Sequence, residues 1–163
     1  MPSARLLEFL SENHVDYRLV QHANAYAARD VANRAGISQA VFAKTVLVRI
    51  DDKPAMVVLP ADSRIDFALL QAATGANEVT LCRQDECELS CPDCEPGAMP
   101  PLGPLYDLDV YVSGNLLRAD RIAFNAGTHT EVVTMPFVDF QRLVRPRVGF
   151  FSSRAVKARQ ARA

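Results

Sequence analysis

The sequence predicts a single α+β domain built around a mixed, mostly antiparallel sheet. Three observations carry that expectation. Val41 to Ile50 and Ala55 to Leu59 are runs rich in β-branched residues, separated by the turn Asp51-Asp52-Lys53-Pro54, the pattern of an antiparallel hairpin. Leu105 to Val112, Arg121 to Asn125 and Glu131 to Met135 add strand-like runs late in the chain. Helical periodicities lie between these runs without the regular strand–helix alternation of a doubly wound parallel sheet. No GxGxxG and no P-loop occurs, so nothing points to a nucleotide cofactor.

Taken in order, Ser3 is placed to cap a first helix carrying Leu6, Leu7 and Leu10 at helical spacing. Val15 to Val20 reads as a short strand. A second helix is predicted over Tyr26 to Ala35, with Ala28, Val31, Ala32 and Ala35 on one stripe and Gly36 at its C-terminal end. After the hairpin, Ile65 to Ala73 is helical in pattern and stops before Gly75. The stretch from Cys87 to Pro104 holds five prolines and two glycines, and is expected to be an ordered loop or linker. Pro136 is placed to open a last helix through Val144. Beyond Pro146 the pattern fades, so the domain is expected over residues 1–146 and a basic tail over 147–163.

Composition excludes several classes. A chain of 163 residues with 49% hydrophobic and 23% charged residues is neither disordered nor collagenous. No apolar run approaches the ~20 residues that cross a bilayer, and the N-terminus lacks the long apolar stretch of a signal peptide. A cytoplasmic protein without membrane contact is expected. The net charge of −1 conceals two blocks. Gln84 to Leu117 contains acids and no Lys or Arg, whereas Arg142 to Ala163 contains bases and no acid. The basic end suits either a polyanion such as RNA or a solubilising role. Cys82, Cys87, Cys91 and Cys94 are clustered, but the second CxxC of a zinc ribbon is missing. Free reduced thiols and no metal are therefore expected. The CxxC does not sit between a strand and a helix, as a thioredoxin-like redox motif would.

Few residues offer chemistry. Lys44 lies inside the best strand and shares a face with Phe42, Val46, Val48 and Ile50. A lysine so surrounded is at the mouth of a pocket or snorkels past an edge, and a partly buried ammonium can hold a phosphate or an oxyanion. His22 follows the first strand. Asn125, Gly127, Thr128 and His129 share a polar segment that breaks a strand pair, a setting for substrate contacts or simply a tight turn. Gly97-Ala98-Met99-Pro100-Pro101 is a stiff loop whose backbone N–H groups can meet a carbonyl or oxyanion. No Ser-His-Asp order and no HExxH is present, so a hydrolase here works without an obvious protein nucleophile.

Several segments occur in a telling order: a His after the first strand, Ala27-Ala28-Arg29-Asp30-Val31-Ala32, Phe42-Ala43-Lys44-Thr45-Val46 and Val57-Val58-Leu59-Pro60-Ala61. Asp93 to Gly103 and Phe124-Asn125-Ala126-Gly127-Thr128-His129-Thr130 follow. Together they resemble the YbaK/ProX family of aminoacyl-tRNA deacylases, related to the editing domain of bacterial prolyl-tRNA synthetases, over about residues 5–144. The resemblance implies a curled sheet flanked by helices around a substrate pocket. It implies hydrolysis of the ester joining a wrong, small amino acid (Ala, Ser, Cys or Pro) to the tRNA 3′ end, with no metal and no cofactor. Lys44 matches the family's essential lysine. Gly97 and Pro101 match its GxxxP loop, and His129 matches a pocket position. The implied catalytic residues are Lys44 and Gly97. The implied substrate-binding set is His22, Ala98, Met99, Pro100, Pro101, Asn125, Gly127, Thr128 and His129. The partner would be the acceptor end of a mischarged tRNA, with an aminoacyl-tRNA synthetase as a further one. Two departures stand out: Ala27 replaces the Ser or Thr of many members, and the basic end runs past the match. The competing readings are an inactive family member that only binds tRNA or an amino acid, and a small zinc protein.

Overall fold

The computed structural model describes residues 3–154. Its elements are α1 (Ala4–Glu12), β1 (Arg18–Gln21), α2 (Ala28–Ala35), β2 (Ala43–Ile50), β3 (Lys53–Pro60), β4 (Ser63–Ile65), α3 (Phe67–Thr74) and β5 (Val79–Leu81). They continue with α4 (Gln84–Ser90), β6 (Asp109–Ser113), β7 (Arg121–Asn125), β8 (Glu131–Pro136), α5 (Phe137–Val144), β9 (Arg147–Gly149) and β10 (Ser152–Arg154). The expected hairpin is present, with Lys44 opposite Leu59 and Ile50 opposite Lys53. Asp51 and Asp52 both take positive φ, 49° and 71°, as a primed two-residue turn requires. The Asp51 carboxylate also accepts the N–H groups of Asn77 and Glu78, which leads the chain into β5.

Three sheets form among the described residues. The largest has the order β5-β2-β3-β6-β9, and β1-β8-β7 and β10-β4 form the other two. Only β3–β6 and β6–β9 run parallel; the remaining ladders are antiparallel. A single parallel bridge, Phe42 to Ala123, joins β2 to β7. The large sheet is covered on both faces. Leu47, Met56 and Val58 meet Leu6, Leu10, Phe124, Met135 and Phe140 in the main core. Val48, Val57 and Leu59 meet Leu70 and Phe151 on the other side. This two-sided burial explains why both faces of β2 read as apolar in the sequence.

Capping marks the ends of several helices. Ser3 accepts the N–H of Leu6 at 3.4 Å and caps α1. Gly36 and Gly75 close α2 and α3 in the left-handed conformation. Ala27 is the N-cap of α2 and, lacking a hydroxyl, makes no side-chain bond. Ala27→Ser is therefore expected to stabilise the protein by about 1 kcal/mol, read as a melting temperature roughly 2–4 °C higher. An unchanged melting curve would show that the cap is not limiting.

Two expectations are corrected. The stretch from Cys87 is not loop throughout, because α4 runs to Ser90 and stops just before the first proline, Pro92. The Glu86 carboxylate accepts the Arg83 N–H at 3.1 Å and also pairs with Arg49 of β2, which starts α4 and docks it on the sheet. Nor does the fold end at residue 146. Strand β9 extends the large sheet beside β6, β10 pairs with β4, and Phe151 is buried over Leu70. The rest of the expected tail, 155–163, lies outside the described residues. Among the described residues no helix is long and apolar enough to cross a membrane.

Candidate active site

The site begins where β2 loses a neighbour. Strand β2 pairs with β3 along its whole length, but on its other side β5 covers only Val48 to Ile50 and the bridge to β7 is at Phe42. Lys44, Thr45 and Val46 thus form an open edge. A cavity of about 70 Å³ lies against it. Thr45 and Leu47 of β2 form one wall, Cys87, Glu88 and Cys91 at the end of α4 another, and Cys94 to Gly97 with Met99 the third.

The third wall is the glycine–proline loop, and the segment after β7 holds it in place. The Glu95 N–H donates to the Gly127 carbonyl at 2.8 Å, and the Gly127 N–H donates to the Ala98 carbonyl at 3.0 Å. The Glu95 carboxylate accepts the His129 N–H at 2.9 Å. Gly127 needs its φ of +95°, and a Cβ there would stand 3.1 Å from the Ser3 side chain. Gly97, at φ +83°, lies against the His129 ring, with its Cβ position 3.6 Å from Cε1. The loop's amides are not equivalent. Ala98 donates its N–H to the Glu95 carbonyl, whereas the N–H groups of Gly97 and Met99 have no acceptor among the described residues. Of the three amides from Gly97 to Met99, two are thus unclaimed.

His129 has a defined tautomer. Its Nε2 is 2.7 Å from the Pro96 carbonyl, which can only accept, so Nε2 donates to it, and in the neutral ring Nδ1 is the acceptor nitrogen. Nδ1 is buried without a partner, as are Asn125 Oδ1 and Thr45 Oγ1. Buried polar atoms are rarely left so. Thr45, which the sequence reading passed over beside its charged neighbour, lines the cavity, and its hydroxyl is buried and unpartnered. Only the strand pleat reveals this: Thr45 and Leu47 share one face, Lys44 and Val46 the other.

Lys44 accordingly is not on the cavity wall. It leaves β2 half-buried, on the same face as its partner Leu59. Burial lowers its pKa, as do the nearby guanidinium groups of Arg29 and Arg64, while Asp62 opposes them. The other expected site residues divide. Met99 lines the cavity. Ala98, Pro100 and Pro101 are buried and stiffen the loop. The Thr128 hydroxyl donates to Glu131 at 3.1 Å and supports the turn. His22 is elsewhere: it lines a separate hollow with Gln21, Thr130 and Glu131, and its Nδ1 donates to the Ala23 carbonyl.

The cysteines differ from the expectation of four free thiols. Cys91 and Cys94, with Cα atoms 5.6 Å apart, are joined as a disulfide. Cys82 and Cys87 are free, and burial pushes both thiols up, Cys82 to about 11. Neither is a thiolate near neutral pH. An Asp93 oxygen lies within 4.8 Å of the sulfurs of Cys91 and Cys94, a spacing that could hold a metal ion. With those sulfurs joined to each other, they are not the thiolates a metal would take.

Comparisons with known proteins agree with this architecture. The multifunctional Ser/Thr-tRNA deacylase ProXp-y of Escherichia coli is 26% identical over 149 residues, covering 88% of this chain and 89% of that protein. The crystal structure of hypothetical protein APE2540 superposes with a TM-score of 0.81 at 18% identity, covering 91% of this chain and 99% of its own. A candidate trans-editing enzyme for prolyl-tRNA synthetase superposes at 0.79 with 15% identity, covering 93% and 96%. These two likenesses are of fold. The family model for the aminoacyl-tRNA editing domain matches residues 22–143, which span the open edge of β2, the glycine–proline loop and the His129 turn, and the chain belongs to that family.

Proposed function

We propose that the protein is a trans-editing hydrolase that removes a small, wrongly attached amino acid from the 3′ end of a tRNA. The observation that carries this reading is one cavity lined by Thr45, Gly97 and Met99, with a loop in which the Gly97 and Met99 amides have no acceptor among the described residues and the His129 ring lies against Gly97. Attack of water on an ester carbonyl develops negative charge on the carbonyl oxygen. Preorganised N–H donors stabilise that charge, and losing one such donor typically costs about 10²–10³ in rate. An aminoacyl ester is already reactive, so no protein nucleophile is required. Glu88 and Glu95 present carboxylates to the substrate's α-ammonium. Lys44, on the other side of the same open edge, serves the phosphate of the terminal nucleotide.

The small cavity selects small side chains, but one methylene discriminates only ~10–200-fold. Ala, Ser, Cys and Pro esters are therefore all to be tried. The deciding experiment is hydrolysis of these esters on tRNAs for Pro and Cys. Turnover of at least one is expected. No turnover on any ester, with tRNA still bound, would replace this reading with that of an inactive binding module.

Thr45→Val tests the cavity wall separately. It removes a buried hydroxyl without a partner, so the melting temperature is expected to stay or rise. If the hydroxyl meets substrate, turnover falls about tenfold, the worth of one hydrogen bond. Unchanged turnover would remove Thr45 from the site.

A further inference from the structure

Helix α4 is a wall of the cavity that the rest of the fold holds lightly. None of its residues is buried, and Leu89 is exposed. Near its start Glu86 pairs with Arg49 of β2, and Cys87 packs partly against the main core. At its end stands Cys91, buried and joined to Cys94. The Cys94 side of that bridge is anchored. The Glu95 N–H donates to the Gly127 carbonyl at 2.8 Å, and the Cβ position of Gly127 is 3.7 Å from the Cys94 sulfur. Between the two cysteines, Asp93 accepts the Ser3 hydroxyl at 2.7 Å and faces Arg5 at 3.9 Å, which fixes the turn to the start of α1. The bridge therefore ties a lightly held helix to a firmly held loop. Cys87, Glu88 and Cys91 on one side and Cys94 and Gly97 on the other line the same cavity, so the bond joins two of its walls.

We propose that the Cys91–Cys94 disulfide is a redox latch on this cavity. Joined, it holds the end of α4 against the glycine–proline loop and keeps the pocket small. Opened by a low-molecular-weight thiol, it lets α4 move outward and the pocket take larger aminoacyl groups. The inference rests on the deacylase reading and adds to it a control of substrate size. Two features suit the bond to switching. It links residues only 3 apart in sequence, so it removes little chain entropy from the unfolded state, and its opening leaves the fold standing. Cys94 is only half-buried, which gives a reductant access to its sulfur. An external thiolate attacks the Cys94 sulfur, the Cys91–Cys94 bond breaks, and Cys91 leaves as a thiolate that takes up a proton. A second external thiolate attacks the external sulfur of the mixed disulfide and releases Cys94, which is protonated in turn. Two electrons pass to the protein, and two external thiols leave as one disulfide. Cys87, on the same cavity wall, does not open the bond itself, because burial and the neighbouring carboxylates of Glu86 and Asp85 keep it a thiol.

The test compares the full chain oxidised with glutathione disulfide and reduced with dithiothreitol. A chelator is present throughout, so that no metal takes the freed sulfurs and Asp93. Thiol titration of the unfolded chain should count two thiols in the oxidised form, Cys82 and Cys87, and four in the reduced form. Amide hydrogen exchange over residues 84–91 is expected to become about tenfold faster on reduction, as a local opening, while the melting curve moves little. The preference for the Ala over the Pro ester on one tRNA is expected to fall about tenfold, within the range that small differences of pocket fit command, and to return on reoxidation. Cys91→Ala with Cys94→Ala should sit at the reduced values and ignore both reagents. Four thiols after oxidation overturn the proposal, as does exchange or ester preference that is the same in the two forms. A double variant that still responds also overturns it, by placing the response in Cys82 or Cys87. If esters are hydrolysed and neither exchange nor preference responds, only the latch is wrong. If neither form hydrolyses any ester, the deacylase reading itself fails, and hydrogen exchange alone decides the latch.

Discussion

Lys44→Met is expected to reduce deacylation of the preferred ester by about 100-fold, the worth of one charge-assisted hydrogen bond of ~3 kcal/mol, while the folded protein melts no lower than the wild type. The two halves of this result have one cause. Lys44 is half-buried beside Arg29 and Arg64, and its folded-state pKa lies below the ordinary 10.5. The charged form is thus disfavoured by folding. That penalty is fully present below the lowered pKa and fades as pH rises toward 10.5, since in that window the unfolded chain binds more protons and stability rises with pH. Removing the ammonium removes the penalty, so the stability advantage of Lys44→Met should be largest near neutral pH and shrink toward pH 10. Methionine keeps the length of the chain and its packing along Leu59 and Val46. Melting curves at the two pH values, together with single-turnover deacylation, measure both halves. A variant that deacylates normally would show that Lys44 is only a tolerated core lysine.

Gly103→Ala is expected to destabilise the fold by about 3 kcal/mol or more. A Cβ at Gly103 would stand 2.3 Å from the Leu108 carbonyl oxygen and 2.4 Å from Val110 Cγ2. The first obstacle is backbone, so no rotamer relieves it. The same residue accepts the N–H groups of Tyr106 and Leu108 at 2.9 and 3.1 Å, which turns the chain from the glycine–proline loop into β6. Strand β6 lies between β3 and β9, so displacing it disturbs the large sheet as well as the loop that forms the cavity's third wall. Urea unfolding should show a lower midpoint at similar slope. A midpoint equal to that of the wild type would mean that the close approach is absent in solution.

Much of this was legible before any coordinates. The β2–β3 hairpin, β7, β8 and α5 announce themselves through β-branched runs, turn residues and Pro136, all local signals. Strands β4, β5, β9 and β10 have three residues each, too few to show a period, and exist because a neighbour supplies their hydrogen bonds. Helix α4 was hidden by the prolines that follow it; its start depends on Glu86, whose second partner, Arg49, lies 37 residues away. Around the candidate site, Gly97, Met99 and His129 stand out in the sequence as residue types in telling places, and Lys44, equally visible, lies on the other face of β2. Thr45 does not stand out, because an unsatisfied hydroxyl has no signature in a sequence.

Fold class, the order of the principal strands and helices, and the segments that mark the family can be read along the chain, because they depend on periodicity, turn chemistry and motif order. Which atoms are free to act emerges once the chain is folded. The Ala98 amide is taken by Glu95, the Nε2 proton of His129 by Pro96, and the cavity side of β2 by Thr45 rather than Lys44. The physical reason is that hydrogen-bond satisfaction and strand pleat are settled by partners distant in sequence, such as Pro96 for His129 and the β3 register for β2.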